Sequence, residues 1–453
     1  MLEDFRDYLD YLEKNGKLVK VKKEIDTRFE IAAGIRKISD TDGPALLFEN
    51  IKDYPGWRVA AGIYGTQKLI ALALGLPADA DDESIIGRYL ECDEERIKPK
   101  LVNTGPIKEI IIKGDDVDLT KLPVPIYSDQ DVGPYLTAGV EVGKNHKTGV
   151  QNVSIHRRKI LGKNLTSLFT PYPQHLRQLI EDAEKDGVGL PVATVIGTDP
   201  AYTIASISQA PEGVDETYIA GAFRGAPIEV VRCETIDVEV PANAEIVIEG
   251  VTIPGQRVDC GPFGEFPGNY IALTGGSVTQ VNVVKVTAIT MRENPIFQAM
   301  LTGMPMTENH LLKKWAQSAM MHREVSKIAE VKAINLTPGG TAHLHLVVAI
   351  KKKTEQQPKD IIDTLLKSRH GPMQVVIVDD DINVNDPVDV EWAIASRMWD
   401  DDDIVVVPGA PGIVGNRKKF LGVKLGIDAT AALKDKKWYQ RVTVPGVDKV
   451  DYV

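Results

Sequence analysis

The spacing of apolar residues changes several times along the chain, and each change predicts an element. Leu2, Phe5, Tyr8, Leu9 and Leu12 recur at helical spacing, and Asn15-Gly16 ends that helix. Lys17–Val21 and Ala45–Phe48 read as strands, and Thr66–Leu74 as a helix stopped by Gly75 and Pro77. The stretch Gly114–Ile126 is charged, then proline-punctuated, and marks a boundary. Beyond it, strand-length runs predominate: Ala138–Val142, Asn152–His156, Val192–Ile196, Thr203–Ser208, Ile228–Val231, Ile236–Val240, Glu245–Ile248, Val281–Thr290 and Pro295–Leu301. Closely spaced short strands predict a barrel, interrupted by helices near His175–Glu184 and Asp215–Phe223. Thr307–Val331 reads as a long connecting helix. Strands at Val331–Leu336, Leu344–Ala349, Val375–Val378 and Ile404–Val407 then alternate with helices at Pro358–Arg369 and Pro387–Arg397. That alternation predicts a second α/β domain. The expected class is mixed α/β (α+β): an N-terminal α/β region 1–115, a central barrel 116–306, a connecting helix 307–331 and a C-terminal α/β domain 332–453.

Composition narrows the function classes. A chain of 453 residues with 43% hydrophobic and 26% charged content has the balance of a soluble globular protein. A net charge of −11 argues against a nucleic-acid partner, while leaving room for a local cationic pocket. Cys92, Cys233 and Cys260 lack the spacing of a disulfide framework or structural zinc site. No apolar run has the roughly 20 residues needed to cross a bilayer, and the acidic amphipathic opening is not a secretory signal. The expected location is cytoplasmic, away from membranes. Gly139–Lys144 is one residue short of a phosphate loop, and neither HExxH nor GxSxG occurs.

The densest local signal is Asp259–Tyr270, with three glycines and two prolines in one short span. Such a loop cannot lie inside a regular element, and it holds a few side chains in place. Its one carboxylate after Asp259 is Glu265. Phe263 and Phe266 flank that acid, a dry setting of the kind a proton donor near neutrality requires. The plain alternative is a tight connection with Glu265 in solvent. A second signal is Asn152-Val-Ser-Ile-His-Arg157, which puts Asn152, Ser154 and His156 on one strand face and Arg157 on the other if the strand is regular. With His175 at a helix start and Glu216 in Pro211-Glu-Gly-Val-Asp-Glu216, the amide, imidazole and carboxylate suit Mn²⁺ or Mg²⁺. Each residue alone also has an ordinary reading, as a hydrogen bonder, a helix-end polar group or a first-turn charge.

Taken together, Phe5-Arg-Asp-Tyr-Leu, Gly16-Lys-Leu-Val, Ala45-Leu-Leu-Phe-Glu-Asn50, Asn152–Arg157, Pro211–Glu216, Gly261-Pro-Phe-Gly-Glu265, Asp379-Asp-Asp-Ile-Asn383 and Gly426-Ile-Asp-Ala-Thr430 resemble, in order, the UbiD family of decarboxylases. The resemblance implies a split-barrel flavin-binding domain, a C-terminal oligomerisation domain, and prenylated FMN as cofactor. By the same resemblance, Asn152, His175 and Glu216 hold Mn²⁺ (or Mg²⁺) against the cofactor phosphate. Ala205, Ser206 and Ser208 help Glu216 bind K⁺. Asn152, Ser154, Ile155, His156 and Arg157 line the cofactor, and Lys367 reaches its phosphate, although helical spacing alone makes Lys367 a surface lysine. Arg157 matches an active-site arginine, against the face count above, and Glu265 the acid that protonates the substrate carbon. A flavin prenyltransferase is the implied cofactor supplier, and a homodimer or dimer-based hexamer the implied assembly.

One departure stands out: the family's loop begins Glu-Gly-Pro-Phe-Gly-Glu, and here Cys260 replaces its first carboxylate. A neutral thiol cannot pair with Arg157 as a carboxylate does. Asp259 standing in, a single-acid site, or a substrate that brings its own charge are the alternatives, with Cys260 as a small buried filler besides. The expected activity is reversible, non-oxidative decarboxylation of an α,β-unsaturated or (hetero)aromatic carboxylic acid, phosphorylated ones included. The competing readings are an FMN-dependent oxidoreductase on the same barrel and a non-catalytic member. His310 is expected either at the pocket or as a helix N-terminal polar residue.

Overall fold

The computed structural model describes residues 2–449 except 172–173, 209, 271–272, 275–276, 279, 369–370 and 417–420. The described chain forms two compact units, Met1–Met320 and Met321–Val453.

In the first unit, Asp4 caps the opening helix Phe5–Lys14 by accepting from the Asp7 N–H, and Phe5, Tyr8, Leu9 and Leu12 are its buried face. Strands Leu18–Val21, Ala45–Phe48, Arg58–Ala61 and Ile296–Ala299 make a four-stranded sheet in that order. Its last strand comes from beyond the barrel and pairs parallel to Arg58–Ala61. Glu245, fully buried, fixes this junction. It accepts from Arg6 Nε at 2.7 Å and Arg6 Nη2 at 3.0 Å, and from the Ile296 N–H at 2.9 Å.

The barrel sheet is antiparallel throughout, in the order Leu165–Leu168, Gln280–Met291, Ile246–Asp259, Pro191–Ile196, Val140–Lys144, Gln151–Ile155. Ile110–Lys113 adds to the far end of Gln280–Met291. The two long strands slip register at Glu249/Gly250 and between Thr252 and Arg257, the bulges by which a sheet bends. One core cluster joins Ile31, Ile35, Phe48 and Val59 to Ile196, Ile246, Phe263 and Val286, so the N-terminal sheet and the barrel are packed as one body. Inside the barrel lies an ion pair with both side chains fully buried, Arg158 Nη2 to Glu141 Oε2 at 2.5 Å. Thr194 Oγ1 also donates to Glu141, and burial pushes the Glu141 carboxyl up to about 7 against the pull of Arg158. Arg158, beside the strand end, is thus a buried structural cation.

Two elements differ from expectation. Thr203–Ser208 is not a strand but the end of a helix, Pro200–Ala205, and the turn after it. Asp199 caps that helix by accepting from the Ala201 N–H at 2.7 Å, and Pro200 takes its first position. This start signal outweighs the strand-like composition that follows. The long connector is the helix Glu308–Ser326, and the chain is already a strand by Glu330.

The second unit is a five-stranded sheet ordered Glu330–Leu336, His345–Lys351, Gln374–Asp379, Leu421–Ala429, Ile404–Asn416. The middle three strands run parallel and the outer two antiparallel to their neighbours. Helices Gln357–Lys367 and Pro387–Arg397 flank it, and Val347, Ala349, Val376, Val378 and Ala393 are among its core. Asp400 and Asp403 make a capping box around an exposed turn, so that acidic run is solvated. No described helix is long and apolar enough to cross a membrane.

Candidate active site

The conflict over Arg157 resolves in the backbone. The strand Gln151–Ile155 ends before His156, and Arg158–Lys159 pairs with Tyr135–Leu136 in a separate ribbon. His156 and Arg157 lie in the break, where alternation of faces no longer applies. Arg157 turns inward, buried, with Nε donating to Glu265 Oε1 at 2.6 Å and Nη2 facing Cys260 Sγ at 2.9 Å. Its guanidinium lies between the rings of Phe169 and Phe263, 4.3 and 4.4 Å from their centroids.

The glycine-rich loop is fixed along its length. Tyr135 Oη donates to the Cys260 carbonyl at 2.8 Å, and the Gly264 N–H to Asp131 Oδ1 at 3.0 Å. Glu265 closes a tight turn on itself, its N–H to the Asn269 carbonyl and its carbonyl accepting from the Gly268 N–H. Gly261 is required: at φ +69°, a Cβ there would stand 2.1 Å from Val132. His310 accepts from the Thr307 N–H at Nδ1, so its proton is on Nε2, which donates to the Phe266 carbonyl at 2.6 Å. Burial pushes His310 down to about 4, so it stays neutral and pins the loop from the start of the helix Glu308–Ser326.

Cys260 occupies the position against Arg157, buried, and burial raises its thiol while Arg157 opposes the rise. Asp259 is exposed and bonded to Gln280, so it does not substitute. Glu265 keeps 15% side-chain exposure, half dry and within reach of a ligand.

A second cluster lies on the edge strand. Asn152 Nδ2 donates to Glu216 Oε1 at 3.1 Å and the Val153 N–H to Glu216 Oε2 at 2.7 Å. Glu216 is buried with neutral donors, and burial pushes its carboxyl up to about 8. Ser154 Oγ sits 3.3 Å from Asn152 Oδ1 and 3.0 Å from His156 Nε2. His156 donates from Nδ1 to the Phe169 carbonyl at 3.1 Å and is held neutral, pushed down to about 4 by burial. A chain of close polar contacts thus runs from Glu216 through Asn152, Ser154 and His156 to Phe169, whose ring stacks on Arg157.

The helices His175–Lys185 and Glu216–Arg224 both pack on the strand Gln151–Ile155, and Gln178 Nε2 donates to Glu212 at 3.3 Å between them. His175 opens the first of these helices, but among the described residues no hydrogen bond joins it to Asn152 or Glu216. Ser206 Oγ donates to the Thr203 carbonyl at 2.6 Å, and the Ala205 carbonyl accepts from the Ser208 N–H at 3.0 Å. Ser208 Oγ and Thr217 Oγ1 are buried without a hydrogen-bond partner among the described residues. Lys367, within its own unit, is a surface lysine 2.6 Å from Asp363 one turn earlier.

Asp131, Tyr135 and Phe169 escaped sequence reasoning because their segments carry no periodic or motif signal. Only the Asp-rich turn at Ser128–Asp131 hints at an anchor. Two surface cavities lie elsewhere: one of about 280 Å³ lined by Trp57, Ile110, Ile112 and Met291, and one of about 90 Å³ beside Lys17, Asp42 and Thr66.

Comparison with known proteins fits this geometry. Three family models cover the chain. The 3-octaprenyl-4-hydroxybenzoate carboxy-lyase N-terminal domain matches residues 9–89, its Rift-related domain 100–305 and its C-terminal domain 310–429. The anhydromevalonate phosphate decarboxylase of Methanosarcina mazei is 35% identical over 444 residues, 97% of this chain and 99% of that one. Among solved structures, an evolved dimeric form of the UbiD-class enzyme HmfF from Pelotomaculum thermopropionicum, in complex with prFMN, is 37% identical. It superposes with a TM-score of 0.87 over 99% of both chains. The 3,4-dihydroxybenzoic acid decarboxylase of Klebsiella pneumoniae is 26% identical, with a TM-score of 0.86 over 98% of both. With every domain matched and the arginine–glutamate pair assembled at its core, the chain belongs to the UbiD family of carboxy-lyases.

Proposed function

We propose that the protein decarboxylates, reversibly and without net oxidation, a small α,β-unsaturated acid that carries a phosphate. The observation that carries the reaction type is the Arg157–Glu265 pair, walled by Phe169 and Phe263. The phosphorylated substrate is supported by the name of the Methanosarcina relative. Arg157 orients the substrate carboxylate through its fork of donors. Glu265, the one acid on the loop beside it, delivers a proton to the carbon that loses CO₂. To do so it must leave Arg157 and carry a proton when the carboxylate arrives. The apolar rings exclude water and favour release of neutral CO₂, and at high CO₂ the same groups run the reaction backwards. Prenylated FMN, when bound, supplies the electron sink that an sp² carbon lacks.

The residues present fit that cofactor and its ions. Glu216 is a buried carboxylate without a described cationic partner, and a divalent cation would supply the missing charge. The Asn152 amide nitrogen faces Glu216, and the single Ser154 proton has two acceptors. Turning the amide points Oδ1 at an ion, lets Nδ2 donate to Ser154 and frees the Ser154 proton for His156. Asn152, Glu216 and His175 would therefore hold Mn²⁺ or Mg²⁺, with Ser154, Ile155 and His156 along the cofactor. Ala205, Ser206 and Ser208 with Glu216 would hold K⁺, where Ser208 Oγ lacks a described partner. Lys367 is proposed to reach the cofactor phosphate by resemblance alone. Glu216→Gln is expected to lower Mn²⁺ affinity at least about tenfold, read as metal content of purified protein by mass spectrometry; unchanged content would remove Glu216 from the ligand set.

Cys260 contributes little to the chemistry in this reading. A thiol–guanidinium contact is weak, so Cys260→Ala should change kcat/KM by less than about tenfold, the equivalent of about 1.4 kcal/mol. A larger loss would give the thiol a catalytic part. A flavin prenyltransferase would supply the cofactor, and exposed Ile404, Val406 and Val423 on the last two strands of the second unit's sheet offer surface for a second copy. An aromatic acid is the second reading, favoured by the name of the Klebsiella neighbour. Protein co-produced with a prenyltransferase, given phosphorylated unsaturated acids and hydroxybenzoic acids, separates the two by which releases CO₂.

A further inference from the structure

We propose that Lys313 is a substrate-binding residue: the cation that receives a phosphate at the far end of the acid being decarboxylated. This deepens the substrate reading given above and rests on it.

Lys313 lies one helical turn beyond His310 on Glu308–Ser326. His310 grips the Phe266 carbonyl at 2.6 Å, and the Lys313 ammonium stands 5.1 Å from the centroid of the Phe266 ring. The side chain therefore lies beside the loop that carries Glu265. It is partly accessible rather than sealed in the core. Burial nevertheless pushes its ammonium down, and the opposing charge that reaches it is Glu265. Its charge is felt in turn by His156 and His310, from the two sides of the site. Among the described residues no carboxylate makes an ion pair with it.

An ammonium that is costly to bury, reachable by a ligand and not ion-paired is a suitable receptor for an anion. Arg157 is not available for that group. Its Nη2 faces Cys260, and the substrate carboxylate takes the rest of its fork once Glu265 withdraws. Two cations near Glu265, Arg157 and Lys313, would bind a molecule with an anion at each end. The missing first carboxylate of the loop, Cys260 here, makes the site less negative and so more tolerant of a second anion. Lys314, the neighbouring lysine, points away, over Trp315 at 4.5 Å.

The test uses holoenzyme loaded with prenylated FMN, and inorganic phosphate as an inhibitor of whichever acid the enzyme turns over. Phosphate is expected to compete with substrate in the parent. In Lys313→Met its inhibition constant should rise at least about tenfold, about 1.4 kcal/mol, while Lys313→Arg keeps it within a fewfold. Melting temperatures of all three, measured with and without phosphate, report folding and binding without turnover. Equal inhibition of parent and Lys313→Met, or a parent insensitive to phosphate, overturns the proposal. The substrate reading fails separately, if the parent decarboxylates unphosphorylated acids and ignores phosphorylated ones; the inhibition constants still decide Lys313 in that case.

Discussion

Glu265→Gln is expected to slow decarboxylation by about 10²–10⁴-fold, the contribution usual for a positioned proton donor. The change is close to isosteric. Glutamine keeps an oxygen that can accept from Arg157 Nε, now 2.6 Å from Glu265 Oε1, and leaves the backbone turn through Asn269 and Gly268 untouched. What it removes is the exchangeable acid proton. The loss should therefore fall on kcat, with KM, flavin content and melting temperature near those of the parent. Cys260 cannot take over, because burial raises its thiol and its sulfur faces Arg157. Single-turnover CO₂ release checks this directly. A variant as fast as the parent would end the assignment of Glu265 as the acid.

The largest stability effect is expected at Glu141 and Arg158, and it should be unequal between the two partners. Both side chains are fully buried, so removing either leaves the other in the barrel interior. Glu141→Gln strands a guanidinium that cannot give up its proton, and should cost about 3–5 kcal/mol. Arg158→Met strands a carboxyl that burial already pushes to about 7, so it can neutralise by taking a proton. Its cost should be clearly smaller. Replacing both by methionine should recover most of the loss, because apolar groups of similar volume avoid the desolvation penalty altogether. Denaturant unfolding of the two single variants and the double variant reads the two losses and their recovery. Equal losses from the two single changes would contradict the asymmetry.

Elements with a clean period were legible in the sequence. The opening helix, the strands Ala45–Phe48 and Pro191–Ile196, and the alternation in the second unit lie where apolar spacing placed them. Failures came where a local capping signal outvoted composition, as at Asp199-Pro200, or where a strand broke and face counting lost its meaning, as at His156-Arg157. The Arg157–Glu265 pair was within reach because resemblance supplied both positions. The shell that holds it was not: Asp131, Tyr135 and Phe169 act through single bonds or ring faces across long stretches of chain. The buried Arg158–Glu141 pair was out of reach for a related reason. A charged residue next to a strand end gives no sign in sequence of whether it points out or in.

The strand Ile296–Ala299 lies beside Arg58–Ala61 in the N-terminal sheet. A nascent chain must wait for its partner: the edge at Arg58–Ala61 stays unmatched until residue 299 has left the ribosome, after the whole barrel has been made. Such late closure slows folding and leaves a bare strand edge exposed to wrong partners during synthesis. Biogenesis of this enzyme is thus governed by its longest-range pairing, with the first and last segments of the unit committing together.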